Sequence, residues 1–521
     1  MSIPQFRARP LVLCFVGALL FSGVAGAQGT PRGFWTSPDA NVEHTNWQKA
    51  ETEINSETLA KNFKLLWKLK LGKEVSKSPS FSEPLLFPGL ITGKGFKDMA
   101  LLADAGTVYA VDSELGDLVW QKDFKSGGCG NIQVVTEAPQ LIHFGRRPPA
   151  KPGAPPPPPR PPEEPLARSQ RRVGASPGGG YFGLRGVFVV TSDGYVHEQI
   201  MATGEDFAPP VKFLPVGGGS SFGLNLNNKV LYALTGAGCH NVANTLWSID
   251  LNTPDYTISS YKTQKVSLAG LTGPAIDPDG TAYVLTGSGA AQPPLYSGSV
   301  VALDAKDLKV KDWYAPSASR GELNAGPVVV TYKEKELIAA PSKDGRLVLL
   351  DAQSLGGADH HTPLAETASL SKPRKRGAWE GLATAQDKSD TWLFASIPGA
   401  VESGVTFPST NGPVTHGGIV AFKVEEQDGH MRLTPAWVSR DLMNPAPPVI
   451  ANGIVFTLEG GSSSTHATLY ALDAATGKQL YSSGDAIQSY THLAGLSVGD
   501  GHVFFVTHDN TLYSFGIPLE H

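Results

Sequence analysis

Apolar and polar residues alternate with a period of two along this chain, in short runs set between polar turns. Eight runs share one pattern: Val108–Asp112, Tyr195–Gln199, Leu246–Asp250, Val300–Asp304, Leu347–Asp351, Ile419–Lys423, Leu469–Asp473 and Leu512–Gly516. Successive side chains of a strand point to opposite faces, so each run predicts a β-strand with one face on a core. The runs return at intervals of about 50 residues, apart from two longer steps, and short strands at that period predict a β-propeller.

Each unit reads as four strands. In the seventh these are Pro447–Ala451, Gly453–Leu458, Thr468–Asp473 and a fourth near Lys478–Tyr481, separated by Gly, Asn and Asp turns. The last unit lacks its outer strand, because only Ile517–His521 follow its third. An isolated alternating strand, Leu65–Leu71, precedes the first complete unit. The chain is therefore expected to close on itself, with this N-terminal strand completing the last blade of an all-β, eight-bladed ring of four-stranded blades. Closure of that kind leaves no exposed sheet edge.

The two long steps hold insertions. Residues Arg146–Pro165 contain eleven prolines, five of them consecutive at Pro155–Pro159, and Arg168, Arg171 and Arg172 follow. Proline donates no ladder hydrogen bond, so the stretch of about residues 146–180 is expected to leave the sheet as a polyproline II or disordered excursion. Two readings stay open for it, a solvated loop or a ligand for an aromatic-lined partner groove. The second excess lies between Asp351 and Lys423. It includes His360, His361, Arg374, Lys375, Arg376 and the loop Gly399–His416.

Composition agrees with many short strands and tight turns: of 521 residues 58 are Gly and 41 Pro, and only 17% are charged. A net charge of -5 gives no basis for a nucleic-acid partner or an anionic membrane. At the N-terminus Arg7 and Arg9 precede the apolar run Leu11–Phe21, and Ala25-Gly26-Ala27 supplies small residues for cleavage. This reads as a signal peptide over residues 1–27, too short to span a bilayer. Residues 28–521 are then expected as one propeller domain, periplasmic or secreted, with no transmembrane segment. Cys14 lies inside the apolar run, which argues against a lipid anchor there. Cys129 and Cys239 remain, either as a disulfide or as two small buried thiols.

The turns after the third strands carry a resemblance. Ala110-Val-Asp112 with Gly116 and Trp120, and Ala471-Leu-Asp473 with Gly477 and Tyr481, match the Ala-x-Asp-x-x-x-Gly-x-x-x-Trp repeat, and Ala302, Asp304 and Trp313 keep it with one extra residue. The repeat resembles that of the pyrroloquinoline-quinone (PQQ)-type propellers, the quinoprotein alcohol dehydrogenase-like family. The opening Asn46-Trp47-Gln48-Lys49-Ala50-Glu51-Thr52, followed by Leu66-Trp67-Lys68, is similar to the start of its secreted members. The resemblance spans residues 28–521 and implies the fold. It also implies two activities, because the family holds PQQ- and Ca²⁺-dependent alcohol and sugar dehydrogenases and non-enzymatic propellers, one of them a lipoprotein scaffold. Of the parts common in the alcohol enzymes, the chain has no adjacent Cys-Cys pair, no Cys-x-x-Cys-His and no Asp-x-Asn-x-Asp run. It also lacks the scaffold's lipid-attachment Cys.

A site is expected on the face formed by the loops into each inner strand and those joining second to third strands. Trp379 and Glu380 are the leading pair there: an indole to stack on a quinone or sugar, and a carboxylate to hold Ca²⁺ or take a proton. Blade packing and a solvated charge are the alternatives. Asn324 and Asn444 offer amide oxygens to a cation, or sit in ordinary turns. His240, His416, His466 and His492 share the face without a spacing that reads as a metal site, and His360-His361 reads as solvated. Two functions follow. One is a binding or scaffold module for a protein, glycan or small molecule. The other is a PQQ- and Ca²⁺-dependent alcohol or sugar dehydrogenase, an oxidoreductase.

Overall fold

The computed structural model describes residues 33–72, 81–92, 95–124, 132–137, 181–182, 185–215, 221–236, 244–263, 266–269, 272–287, 296–317, 323, 325–371, 381–387, 390–491 and 495–518. The signal segment, Cys129, Cys239 and the proline run lie outside these residues. Eight sheets stand as blades around one axis. Their inner strands, in blade order, are Leu85–Thr92, Gln133–Thr136, Ser221–Asn227, Ala275–Ile276, Val328–Tyr332, Leu382–Asp387, Val449–Ala451 and Ser497–Gly499. All eight alternating runs form the third strands.

The outer strand of blade 8 is Lys64–Lys70, which pairs antiparallel with Thr511–Gly516 in the register Lys64↔Gly516 to Lys70↔Thr511. The ring thus closes as the sequence predicts. Strand order alternates direction within each blade, so the two ends of the ring differ. One, the loop face, carries the lead-ins to inner strands and the second-to-third loops. The other, the turn face, carries first-to-second and third-to-outer turns. Residues 138–180 fall between the inner and second strands of blade 2, which puts the ends of the proline-rich insertion on the turn face.

Tryptophans lock neighbouring blades. The indole N–H of Trp67 in blade 8 donates to Ser113 O of blade 1 (3.0 Å), that of Trp120 to Met201 O of blade 2 (2.8 Å), and that of Trp437 in blade 6 to Ala474 O of blade 7 (2.9 Å). Each ring lies on the glycine of the next blade's turn. At Gly477, with φ +70°, an added Cβ would stand 2.3 Å from the Trp437 ring, so both the backbone angle and the packing demand glycine. At the blade 4–5 seam Trp313 stacks instead on His360, 4.6 Å between centroids and 16° between planes.

The sequence pattern gave no sign of what fills the axis. Residues 33–48 run round the inside of the ring in blade order and bond to all eight inner strands. Trp35 exchanges two bonds with Leu86 of blade 1 (3.0 Å each), and Thr36 O accepts from Thr136 N of blade 2 (2.8 Å). Val42 O accepts from the Asn225 side chain of blade 3 (3.2 Å) and from Ile276 N of blade 4 (2.7 Å). Glu43 O takes Val329 N of blade 5 (3.0 Å), Thr45 O takes Thr384 N of blade 6 (3.0 Å), and Asn46 O takes Ile450 N of blade 7 (2.8 Å). Gln48 Nε2 donates to Val498 O of blade 8 (3.1 Å). Thr136 and Ile276 end their strands, and Ile450 and Val498 are next to last. The plug therefore sits toward the turn face.

Candidate functional site

The plug fills the axis toward the turn face, so the groups it meets on the loop-face side are the axial candidates. The described floor is built by the plug and by Glu83, two residues ahead of blade 1's inner strand. Glu83 Oε1 accepts from Asp39 N (3.2 Å) and from the indole N–H of the fully buried Trp35. Burial, then the charge of Asp39, pushes the Glu83 carboxyl well above the usual carboxylate range, against the opposing bonds from Trp35 and Asp39. Asp39 holds a positive φ of 60° and is fixed by Asn46, whose N–H donates to Asp39 O (2.9 Å).

His44 is 3% exposed beside this pair. Asn225 is oriented by its own bonds: Oδ1 accepts from Leu226 N (2.9 Å), and Nδ2 donates to Val42 O and Pro274 O. The same Nδ2 faces His44 Nε2 at 3.3 Å. Burial lowers the His44 pKa despite Asp39 and the Thr272 carbonyl, so the ring is neutral. Nδ1 has no hydrogen-bond partner among the described residues, and Asp39 Oδ2 lies 4.0 Å away. The floor thus presents the raised Glu83 carboxyl, the Asp39 carboxylate group beside it and the buried His44 ring. That set suits a hydroxylated ligand or a cation.

Of the site residues expected from sequence, Trp379, Glu380 and Asn324 lie outside the described residues, as do His240 and His492. Asn444 is exposed at φ 52° on the loop into blade 7, the geometry of an ordinary turn asparagine. His416 and His466 do not converge. His416 Nδ1 is 2.7 Å from Asp441 Oδ2, and His466 Nε2 is 3.2 Å from Asp485. Burial acts upward on Asp441, but bonds from His416 and Thr415 outweigh it and hold the carboxyl far below its ordinary range. His361 is exposed and the His360 side chain is partly so, and their Nδ1 atoms meet Trp313 O (3.1 Å) and Ala315 O (2.7 Å) at a blade seam.

Sequence reasoning missed one more cluster. Asp98, Glu114 and Asp500 bring carboxylate oxygens within 4.8 Å of one another at the seam of blades 8 and 1, with His502 Nε2 3.4 Å from Glu114. These groups could hold a metal ion. Burial first, then Asp98, Glu53 and Glu114, raises Asp500 to about 7. Asp98 lies in a strand and Glu114 in a turn near one end of the chain, and Asp500 in a turn near the other, so no spacing announced them.

No family model and no curated protein matches the chain. Solved structures do. A quinohemoprotein alcohol dehydrogenase from Comamonas testosteroni superposes with a TM-score of 0.56 at 13% identity, over 95% of this chain and 82% of that one. The quinohemoprotein alcohol dehydrogenase ADHIIG from Pseudomonas putida HK5 gives 0.54 at 14%, over 94% and 81%. A europium-containing methanol dehydrogenase gives 0.53 at 12%, over 93% and 98%. Likeness at such identities is likeness of fold. The chain has the PQQ-like repeat fold, an eight-bladed β-propeller of quinoprotein alcohol dehydrogenase architecture.

Proposed function

We propose that this protein is an exported binding or scaffold propeller that takes a protein, glycan or small-molecule ligand on its loop face. The axial plug carries the reading. It commits one end of the axis to structure and leaves the loop face, with its long second-to-third loops, as the approach to the floor of Glu83, Asp39 and His44. Long loops on a rigid ring are where binding residues concentrate. Export rests on the signal-like N-terminus. Among the described residues no helix is long and apolar enough to cross a membrane.

A second reading, a PQQ- and Ca²⁺-dependent alcohol or sugar dehydrogenase, is favoured by the fold likeness along 95% of the chain. In it Trp379 would stack on the quinone, with Glu380, Asn324 and Asn444 near the cation.

One titration separates the two. The purified chain is mixed with PQQ and Ca²⁺, and quinone absorbance and dye reduction are followed across alcohols and sugars. Absence of stoichiometric uptake is the expected result. Tight uptake with turnover, lost in Trp379→Ala, would sink the binding-module reading.

A further inference from the structure

One cleft formed by described residues lies away from the axis. It opens at the rim between blades 6 and 7, with a volume of about 570 Å³, lined by Asn411, Gly412, Arg440, Asp441, Lys478 and Gln479. Three elements build it. The loop Gly399–His416 folds over the edge of blade 6, where Ser409–Thr410 pairs parallel with His430–Val438. The lead-in to blade 7 brings Arg440 and Asp441, and the third-to-outer turn of blade 7 brings Lys478 and Gln479.

The donors in this cleft are held in place. Arg440 Nη1 donates to Gln479 Oε1 (2.7 Å), and its guanidinium carbon lies 5.0 Å from the Tyr470 ring centroid. A stacked guanidinium loses little further freedom when it meets an anion. Lys478 is exposed, and its amine pairs with no carboxylate among the described residues. Asp441 does not cancel these charges freely, because its two oxygens already accept from Thr415 N (2.8 Å), Thr415 Oγ1 (3.0 Å), His416 N (2.7 Å) and His416 Nδ1 (2.7 Å).

Amide chemistry completes the set. Asn411 Nδ2 donates to Val438 O (3.0 Å) and Thr476 O (2.9 Å), which leaves Oδ1 as an acceptor. Arg440 occupies Gln479 Oε1, which leaves Nε2 as a donor. The cleft therefore offers two cations, one amide donor and one amide acceptor. A lone inorganic oxyanion uses the cations and leaves the acceptor idle. A neutral sugar uses the amides and leaves the cations unpaired. We propose that this rim cleft binds an acidic sugar, its carboxylate on Arg440 and Lys478 and its hydroxyls on Asn411 and Gln479. The site is separate from the axial floor, so it stands whichever reading of the floor holds.

The test is calorimetric titration of the full chain with trigalacturonate, neutral galactotriose and inorganic phosphate. Trigalacturonate is expected to bind saturably, more weakly as salt rises, and at least about tenfold tighter than either control. Lys478→Glu, at an exposed turn residue, is expected to weaken it at least about tenfold with an unchanged melting temperature. Arg440→Gln should act in the same direction. Failure of trigalacturonate to saturate, or indifference to Lys478→Glu, would overturn the proposal. Equal binding of galactotriose would remove the role of charge, and equal binding of phosphate would remove the sugar.

Discussion

Residues 33–48 and Lys64–Lys70 close the same ring at two radii, and they do so by different chemistry. The outer closure is a sheet ladder. Lys64–Lys70 adds a fourth strand to blade 8, and Trp67 carries the seam on to Ser113 of blade 1. Its bonds are repeats of one another, so its information is an alternating pattern. The inner closure has no repeat. The carbonyls of the plug are handed out blade by blade: Thr36 to blade 2, Val42 to blades 3 and 4, Glu43 to blade 5, Thr45 to blade 6 and Asn46 to blade 7. A ladder is made by pattern and tolerates local loss. A plug of single assignments needs every partner at its own place.

Removal of the plug is the harshest test of that distinction. A chain lacking residues 33–48 but keeping Lys64–Lys70 leaves the inner-strand amides of Leu86, Thr136, Ile276, Val329, Thr384 and Ile450 without acceptors. An orphaned buried amide costs about 1–3 kcal/mol, against a net stability of about 5–15 kcal/mol for a whole domain. Water entering the axis recovers part of that, and a loss of at least about 5 kcal/mol is still expected in urea unfolding. An unchanged midpoint would mean the plug is an ornament of the ring. The outer closure is tested by Trp67→Ala. Its indole is half-buried, and the expected loss is smaller, about 3 kcal/mol, with the ring still cooperative.

Visibility in the sequence follows the same division. Leu65–Leu71 was readable because a strand leaves a period of two, and the eight third strands were readable for that reason. The turn glycines and tryptophans were readable because Gly116 and Gly477 need positive φ under a neighbour's ring. The plug was not, because an irregular segment that satisfies eight separate strands has no period. Its buried polar residues, Asn46, Gln48 and His44, have the composition of a surface loop. His416 and Asp441 meet across the outer strand of blade 6, and Asp98 meets Asp500 across the ring closure, so spacing along the chain says nothing of either.

Proton linkage probes the place where the two closures meet. Asp500 lies in the first turn of blade 8 against Gly33, where the plug begins. Its folded pKa, about 7, lies above the ordinary 3.8 that the unfolded chain keeps, chiefly through burial. Between those values the folded protein holds a proton that the unfolded chain has released. Stability from this group is therefore complete below about pH 3.8, falls as pH rises toward 7, and is gone above it. Allowing for partial solvent screening, the drop is up to about 2 kcal/mol. Asp500→Asn, which also tolerates the left-handed φ of 53°, is expected to flatten that slope and raise the urea midpoint at pH 8. An unaltered pH profile would show that the acidic cluster is open to solvent and ion exchange.

The smallest effect is expected where neither closure reaches. Asn444 is exposed on the loop into blade 7, with φ 52° and no role in the plug or the outer ladder. Asn444→Gly relieves a left-handed backbone and should leave stability within a few tenths of a kcal/mol, whereas Asn444→Ala should cost about 0.5–1 kcal/mol. Backbone strain alone predicts that order, Gly above Ala. If the side-chain oxygen instead serves a cation, both variants lose the same oxygen, and both should abolish any rise in melting temperature that added Ca²⁺ gives the wild type. Thermal scans of the three proteins with and without Ca²⁺ therefore decide between a turn residue and a ligand at this position.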